Sequence, residues 1–90
     1  MTRVEQDATI VNSLGLHARP AAKFVRTAAG FTSEVHVTKD GMRVNGKSIM
    51  GVMMLGAECG SSIRIEAHGA DASQAVAALR QLVADGFGET

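Results

Sequence analysis

Hydrophobic and polar residues alternate in four segments of the chain, and this two-residue period predicts β-strands. The predicted strands cover residues 3–11, 33–39, 42–44 and 62–68. Asp40 and Gly41 form a tight-turn dipeptide, which joins the second and third strands as a hairpin. Each strand has one apolar face, so the sheet that they form needs cover on one side only.

Three other segments place apolar residues at the three- and four-residue spacing of an amphipathic helix. They cover residues 18–29, a short segment after a capping Ser48 that runs through Leu55, and residues 72–85. Pro20 fits only the first turn of a helix, where its missing N–H is not needed. The first helix therefore starts near His17, and Gly30 ends it.

The resulting order is strand, helix, strand, strand, helix, strand, helix. It predicts an α+β fold in which helices cover one face of a sheet. Ninety residues give room for one hydrophobic core, so we expect residues 1–90 to form a single domain. With three Phe and no Trp or Tyr, that core must be mainly aliphatic.

Charge and cysteine content narrow the class of protein. Nine basic and nine acidic residues give zero net charge, which argues against nucleic acid as a partner and against polybasic membrane association. The single cysteine, Cys59, cannot form an internal disulfide, which fits a reducing compartment. Residues 1–8 lack the apolar core of a signal peptide, and the near-apolar run at 49–57 is too short to cross a bilayer. We therefore expect a cytoplasmic protein without membrane insertion.

The segment GLHARPA at residues 15–21 carries the strongest chemical signal. A histidine at the N-cap lies beside the unpaired backbone amides of the first helical turn, which attract anions. Arg19 adds a guanidinium that suits phosphate oxygens. The neutral imidazole of His17 is a nucleophile, but no metal ligand or second acid or base accompanies it. We therefore expect a phosphoryl acceptor that works with a partner protein, without metal or cofactor; the alternative is that His17 only caps the helix.

Residues 15–21, followed by Phe24 and Val25, resemble the phosphohistidine motif of HPr, the phosphocarrier family of the bacterial phosphoenolpyruvate-dependent phosphotransferase system. A second segment, VNGKSIMGVM at residues 44–53, resembles the regulatory serine segment of that family. The final segment, residues 69–89, is also similar to the family. Two motifs at the family's separation are more specific than either alone.

The resemblance implies a βαββαβα open-faced sandwich, in which three helices cover one side of a four-stranded antiparallel sheet. It implies that phospho-enzyme I phosphorylates His17 on Nδ1, and that His17 donates to enzyme IIA proteins. Arg19 would pair with the phosphate or help docking, and the backbone amide of Ala18 would lie at the helix N-terminus. Ser48 would be the target of an HPr kinase/phosphorylase. The protein would then be a carrier and a substrate of enzyme I rather than an enzyme.

The short second helix contains more apolar residues than one face can bury. At helical spacing, Val52 and Leu55 can face the sheet. Ile49, Met50 and Met53 cannot all do so, and we expect them to form an exposed docking patch that accepts several partners.

His36 and His68 lie on the polar faces of their strands and are expected to be solvated, and Cys59 receives no role. We expect a monomer, because the chemistry needs only one chain.

A carrier for a nitrogen-related or purely regulatory phosphotransferase branch is an alternative within the family. A small metal- or ligand-binding regulatory domain is an alternative from another class, but it would need ligand residues that converge from several loops.

Overall fold

The computed structural model describes residues 2–89. Its elements, in chain order, are β1 (Arg3–Thr9), α1 (Ala18–Ala29), β2 (Glu34–Lys39), β3 (Met42–Asn45), α2 (Ile49–Met54), β4 (Ser62–His68), α3 (Ala72–Ala84) and a 3-10 turn (Gly86–Gly88). This order confirms the predicted α+β arrangement. The sequence did not predict the short 3-10 turn that follows α3.

The four strands form one antiparallel sheet in the order β1-β4-β2-β3. The register places Val4 and Val35 on either side of Ala67, so apolar positions of neighbouring strands share one face. The helices cover this face, because α1 and α3 carry apolar stripes that need burial. The other face of the sheet carries the polar residues.

The core lies between the sheet and the helices. Phe24 of α1 and Phe87 of the 3-10 turn are its largest fully buried side chains. The other large, fully buried side chains are mainly aliphatic: Ile10, Ile63, Ile65, Leu79, Val35, Val37, Val52, Val76 and Val83. The expectation of a mainly aliphatic core is therefore confirmed. None of the helices within residues 2–89 is long and apolar enough to cross a bilayer.

The first strand is shorter than the predicted segment 3–11. It ends at Thr9, which is paired with Ser62, the first residue of β4. The residues before Ser62 are no longer part of a strand, although the Ile10 amide still donates to the Ser61 carbonyl at 2.9 Å. The length of a strand depends on its neighbour, and alternation within one segment does not contain that information.

Four other boundaries differ from the predictions by one residue, among them the end of β3, which lies at Asn45 rather than at residue 44. β2 begins at Glu34 because the amide and hydroxyl of Ser33 donate to the carboxylate of Asp71 instead. Leu55 and Asp85 are C-cap residues, so α2 and α3 each end one residue earlier than predicted. Helix ends commonly vary by this amount.

The uncovered face of the sheet contains a buried carboxylate. Glu66 accepts hydrogen bonds from Arg43 Nε at 3.0 Å and from His68 Nε2 at 2.9 Å, and Arg3 lies 3.4 Å away. The hydrogen bonds from Arg43 and His68 lower the pKa of Glu66 from 4.5 to about 2. The surrounding cations thus compensate the cost of burying this charge.

The two histidines lie on the polar face of the sheet as predicted, but they are less solvated than expected. Both His36 and His68 are half-buried. His68 bonds to Glu66, and the Nδ1 atom of His36 is buried without a hydrogen-bond partner among the residues described. Alternation places both side chains on the polar face, but it does not show that neighbouring long side chains on that face cover them.

Glu66 makes the stability of the fold sensitive to acid. Its folded pKa is depressed, so its contribution is present above pH 4.5 and is lost as pH falls towards 2. Glu66→Gln is expected to lower the free energy of unfolding by about 1 to 2 kcal/mol at pH 7. Urea titrations between pH 7 and 2.5 should show a shallower acid-dependent loss in this variant. Glu34→Gln, at an exposed position on the same face, is the control and should retain the native slope.

Candidate functional site

His17 is the N-cap residue of α1, as the sequence predicts. Its backbone is extended, with φ −74° and ψ −175°, and its carbonyl accepts the Ala21 amide at 3.0 Å. The imidazole makes no capping hydrogen bond to the helix. The alternative that His17 serves only as a side-chain cap is therefore not supported by the geometry, and the ring is available for other contacts.

The loop before His17 is fixed by a close backbone contact. The Leu16 amide donates to the Ala57 carbonyl at 2.9 Å, which ties the loop to the segment that follows α2. Gly15 has a φ of +67°, and a Cβ atom at this position would lie 2.3 Å from the Ala57 oxygen. Only glycine fits both the backbone conformation and the space, which explains why a glycine stands two residues before His17.

The first turn of α1 offers donors to an anion. The amides of Ala18 and Arg19 have no acceptor within the helix, and no side chain in residues 2–89 bonds to them. The first turn contains no acidic residue, and Arg19 is exposed and makes no side-chain hydrogen bond or ion pair within the described part of the chain. An anion beside His17 would meet the positive end of the helix and a free guanidinium.

The C-terminal segment brings a carboxylate to His17. Glu89 Oε2 lies 3.0 Å from His17 Nε2, and Oε1 lies 3.3 Å from the same atom. Asn12 Nδ2 donates to Glu89 Oε1 at 2.9 Å and to the Gly15 carbonyl at 2.8 Å. His17 Nδ1 has no hydrogen-bond partner among residues 2–89. Sequence reasoning missed both Glu89 and Asn12, and no local motif marks them, since Glu89 lies 72 positions from His17.

The 3-10 turn holds Glu89 in this position. Phe87, with a φ of +59°, inserts its ring into the core, where it is 1% exposed. Lys23 Nζ donates to the Phe87 carbonyl at 2.6 Å, and the Glu89 amide donates to the Gly86 carbonyl at 3.0 Å. The buried ring and the two hydrogen bonds direct the end of the chain towards the start of α1.

Ser48 is the N-cap residue of α2, as predicted. Its hydroxyl accepts the Gly51 amide at 3.1 Å, and the side chain is half-buried. α2 packs against α1 and β3. The neighbouring Lys47 is not simply solvated, because its ammonium donates to the Phe31 carbonyl at 2.8 Å. The structure therefore places the serine segment beside the helix that begins at His17.

The short helix divides its apolar residues as the periodicity predicts. Val52 and Leu55 are buried, whereas Ile49, Met50 and Met53 are exposed, Met50 by 73%. These three exposed residues are the predicted docking patch.

Further exposed apolar residues were not expected. Met54 of α2 and Leu14 and Val11 of the loop before His17 are also exposed. We call Met54 and Leu14, with the docking patch, the apolar surface. The Leu16 amide bonds to the Ala57 carbonyl, so the loop that carries Leu14 adjoins the segment that follows α2, whereas Val11 lies beside Gly86 at the end of α3.

Cys59 is exposed and unpaired, with its Sγ 3.7 Å from the Val11 carbonyl. Within residues 2–89, no three His, Cys, Asp or Glu side chains come together in a way that could hold a metal ion.

The fold and the site define a small α+β protein that presents a histidine at the start of its first helix, with one ring nitrogen that has no partner among residues 2–89. The family model described as "PTS HPr component phosphorylation site" matches residues 4–85. The "Phosphocarrier protein HPr" of Neisseria meningitidis is 54% identical over 86 residues, which cover 96% of this chain and 97% of the relative. The chain belongs to the HPr family of phosphocarrier proteins of the phosphotransferase system.

Solved structures of HPr proteins have the same fold. The crystal structure of "HPr-C-His" from Thermoanaerobacter tengcongensis superposes with a TM-score of 0.89 at 47% identity, and it covers 100% of this chain and 99% of that protein. A structure described as an "HPr dimer" from the same organism gives a TM-score of 0.78 at 50% identity over 89% of this chain and 92% of that one. The predicted open-faced sandwich is thereby confirmed.

Proposed function

We propose that His17 carries the phosphoryl group on Nδ1, receives it from phospho-enzyme I and passes it to enzyme IIA proteins. One observation supports this assignment above all. His17 lies at the N-cap with Nε2 bonded to Glu89, and Nδ1 has no partner among residues 2–89. The family's function requires a phosphorylated residue, and this nitrogen lies beside free amides.

The proposed transfer needs little from the chain itself. The Nδ1 lone pair attacks phosphorus, and the bond between phosphorus and the donor breaks, with its electron pair leaving to the donor. The amide of Ala18 and the guanidinium of Arg19 then stabilise the charge on the phosphoryl oxygens. Transfer to the acceptor repeats the step in reverse. The chain needs no metal or cofactor for this role, which is that of a substrate for its partners rather than of an enzyme.

Labelling with phosphoenolpyruvate tests the proposal directly. The purified chain, incubated with enzyme I and phosphoenolpyruvate that carries a labelled phosphate, should take up one phosphoryl group. That label should be lost in acid and kept in base, as a phosphoramidate is. If an enzyme I that is active and comes from the same organism leaves the chain unlabelled, the proposal is wrong.

We propose that Ser48 is a regulatory phosphorylation site, used by an HPr kinase/phosphorylase. Its hydroxyl already accepts a backbone amide at the start of α2, and phosphate oxygens can accept the same bond. The modification would add about −1.5 to −2 charges next to the docking patch. Charge and desolvation would then oppose the docking of enzyme I.

Ser48→Asp mimics part of this charge. We expect phosphoryl acceptance from enzyme I to slow about tenfold, through the association step rather than through chemistry. Transfer assays that are stopped at set times, at several concentrations of enzyme I, separate a slower association step from a slower chemical step. Ser73→Asp, on the exposed first turn of α3, is the matched control and should transfer at the native rate. Equal rates for Ser48→Asp and the native chain would contradict the charge mechanism.

We propose that enzyme I and enzyme IIA proteins share the apolar surface as their docking site. Exposed methionines adapt to several partners because their side chains are flexible. The zero net charge argues against nucleic acid as a partner.

We propose a cytoplasmic monomer, since one chain contains all the groups that the transfer uses. Light scattering should give the mass of one chain, and a stable dimer like the Thermoanaerobacter tengcongensis structure would contradict this.

A further inference from the structure

We propose that Glu89 is a positioning residue: it keeps the proton of the neutral His17 ring on Nε2, so that the Nδ1 lone pair is free to accept the phosphoryl group. The proposal rests on the proposed role of His17. It concerns a residue that comes from the other end of the chain, and it assigns the C-terminal turn a part in the transfer chemistry.

The donor and acceptor roles follow from the chemistry of the two groups. A neutral imidazole has one N–H, and an ionised carboxylate only accepts hydrogen bonds. Glu89 Oε2 lies 3.0 Å from His17 Nε2, so Nε2 must be the donor. The lone pair is then on Nδ1, the nitrogen without a partner among residues 2–89. A carboxylate that fixes the tautomer of a reactive histidine in this way is a recurring device in active sites.

Asn12 fixes the carboxylate in turn. Its Nδ2 atom donates one hydrogen to the Gly15 carbonyl at 2.8 Å and the other to Glu89 Oε1 at 2.9 Å. Both acceptors are oxygens that cannot donate, so the amide has only one workable orientation. Asn12 is buried, which holds this orientation rigidly. Oε1 therefore accepts from Asn12 and lies 3.3 Å from His17 Nε2, whereas Oε2 is the nearer oxygen to the ring at 3.0 Å.

This arrangement makes a distinctive prediction for Glu89→Gln. The side-chain oxygen of the glutamine would accept from Asn12, because the Asn12 amide cannot turn. The glutamine NH2 would then face the ring and force Nε2 to accept, which moves the ring proton to Nδ1. Nδ1 would then carry the ring proton and have no lone pair to attack phosphorus, whereas Glu89→Ala would leave the ring free to take either tautomer.

We therefore expect a ranked loss of phosphoryl acceptance. Glu89→Ala should lower kcat/KM for transfer from phospho-enzyme I by about tenfold. Glu89→Gln should lower it by about a hundredfold, although it is the closer replacement in shape; the corresponding change in the Ser-His-Asp triad costs about 10⁴ in kcat. A role in charge or in folding alone would predict the opposite ranking, because glutamine preserves the size and contacts of glutamate.

Nitrogen-15 spectra of the His17 ring provide a readout that does not depend on transfer. At a pH where the ring is neutral, the native chain should show the Nε2–H form, and Glu89→Gln should show mainly the Nδ1–H form. Glu58→Gln is the matched control: it removes the same charge from an exposed glutamate that makes no side-chain bond to His17, and it should keep the native spectrum and rate. Circular dichroism should show that all four proteins are folded.

The outcomes separate the two proposals. A Glu89→Gln variant with the native tautomer, or one that transfers faster than Glu89→Ala, would overturn the positioning role. If the native chain takes no label but Glu89→Gln shows the expected change of tautomer, the coupling of Glu89 to the ring is supported. Only the role of His17 as the acceptor is then overturned.

Discussion

Replacement of His17 by alanine is expected to reduce labelling by phospho-enzyme I at least about a thousandfold, because the variant has no nucleophile at the start of α1. The side chain is half-exposed and does not cap the helix, so its removal should leave the fold intact. The measurement is uptake of labelled phosphate from phosphoenolpyruvate in the presence of enzyme I. Thermal unfolding of both proteins shows whether the comparison is between folded chains.

The other two histidines provide matched controls for this result. His36 and His68 lie on the uncovered face of the sheet, away from the helices and the apolar surface. His36→Ala and His68→Ala should be labelled at the native rate. Labelling that survives in His17→Ala and disappears in one of these variants would move the phosphoryl group to the other side of the protein.

Replacement of Phe24 by alanine is expected to lower the free energy of unfolding by about 3 to 5 kcal/mol. The ring is fully buried between α1 and the sheet, and its loss leaves a cavity in a small core. A chain of this size has a total stability of about 5 to 10 kcal/mol, so the change removes a large share of it. The melting temperature, measured by circular dichroism or calorimetry, should fall by about 15 to 30 °C.

The neighbouring residue Val25 supplies the control for this prediction. It is only partly buried at the edge of the same core, and Val25→Ala should cost about 1 kcal/mol. At a temperature where both variants are folded, phosphoryl acceptance should be close to native, because neither side chain carries a group that the proposed transfer uses. A Phe24→Ala chain that melts within a few degrees of the native protein would contradict the assigned place of this ring in the core.

The site depends on three segments that are far apart in the sequence. The loop before His17 bonds to Ala57 after α2, and the C-terminal turn bonds to the ring through Glu89. Asn12 connects the loop to the turn. Changes in the 3-10 turn should therefore alter the reactivity of His17 more than their distance along the chain suggests.

Local patterns in the sequence determined most of the architecture. Strand alternation and helical spacing need only neighbouring residues, and they gave every strand and α-helix with boundaries correct to within two residues. Pro20 located the start of α1, and with it the N-cap position of His17. The spacing of apolar residues after Ser48 separated the buried Val52 from the exposed Met50. Each of these conclusions follows from backbone geometry within one element.

Tertiary structure alone decided the surroundings of the histidine. The contact between His17 and Glu89 joins residues 72 positions apart, and it exists because the Phe87 ring is buried and turns the end of the chain back. The burial of Glu66 likewise depends on cations from other strands. Local periodicity contains no information about such contacts, because they form only when separate elements pack against one another. The sequence by itself therefore determined where His17 lies along the chain, and the packed fold decided which of its two ring nitrogens bonds to Glu89.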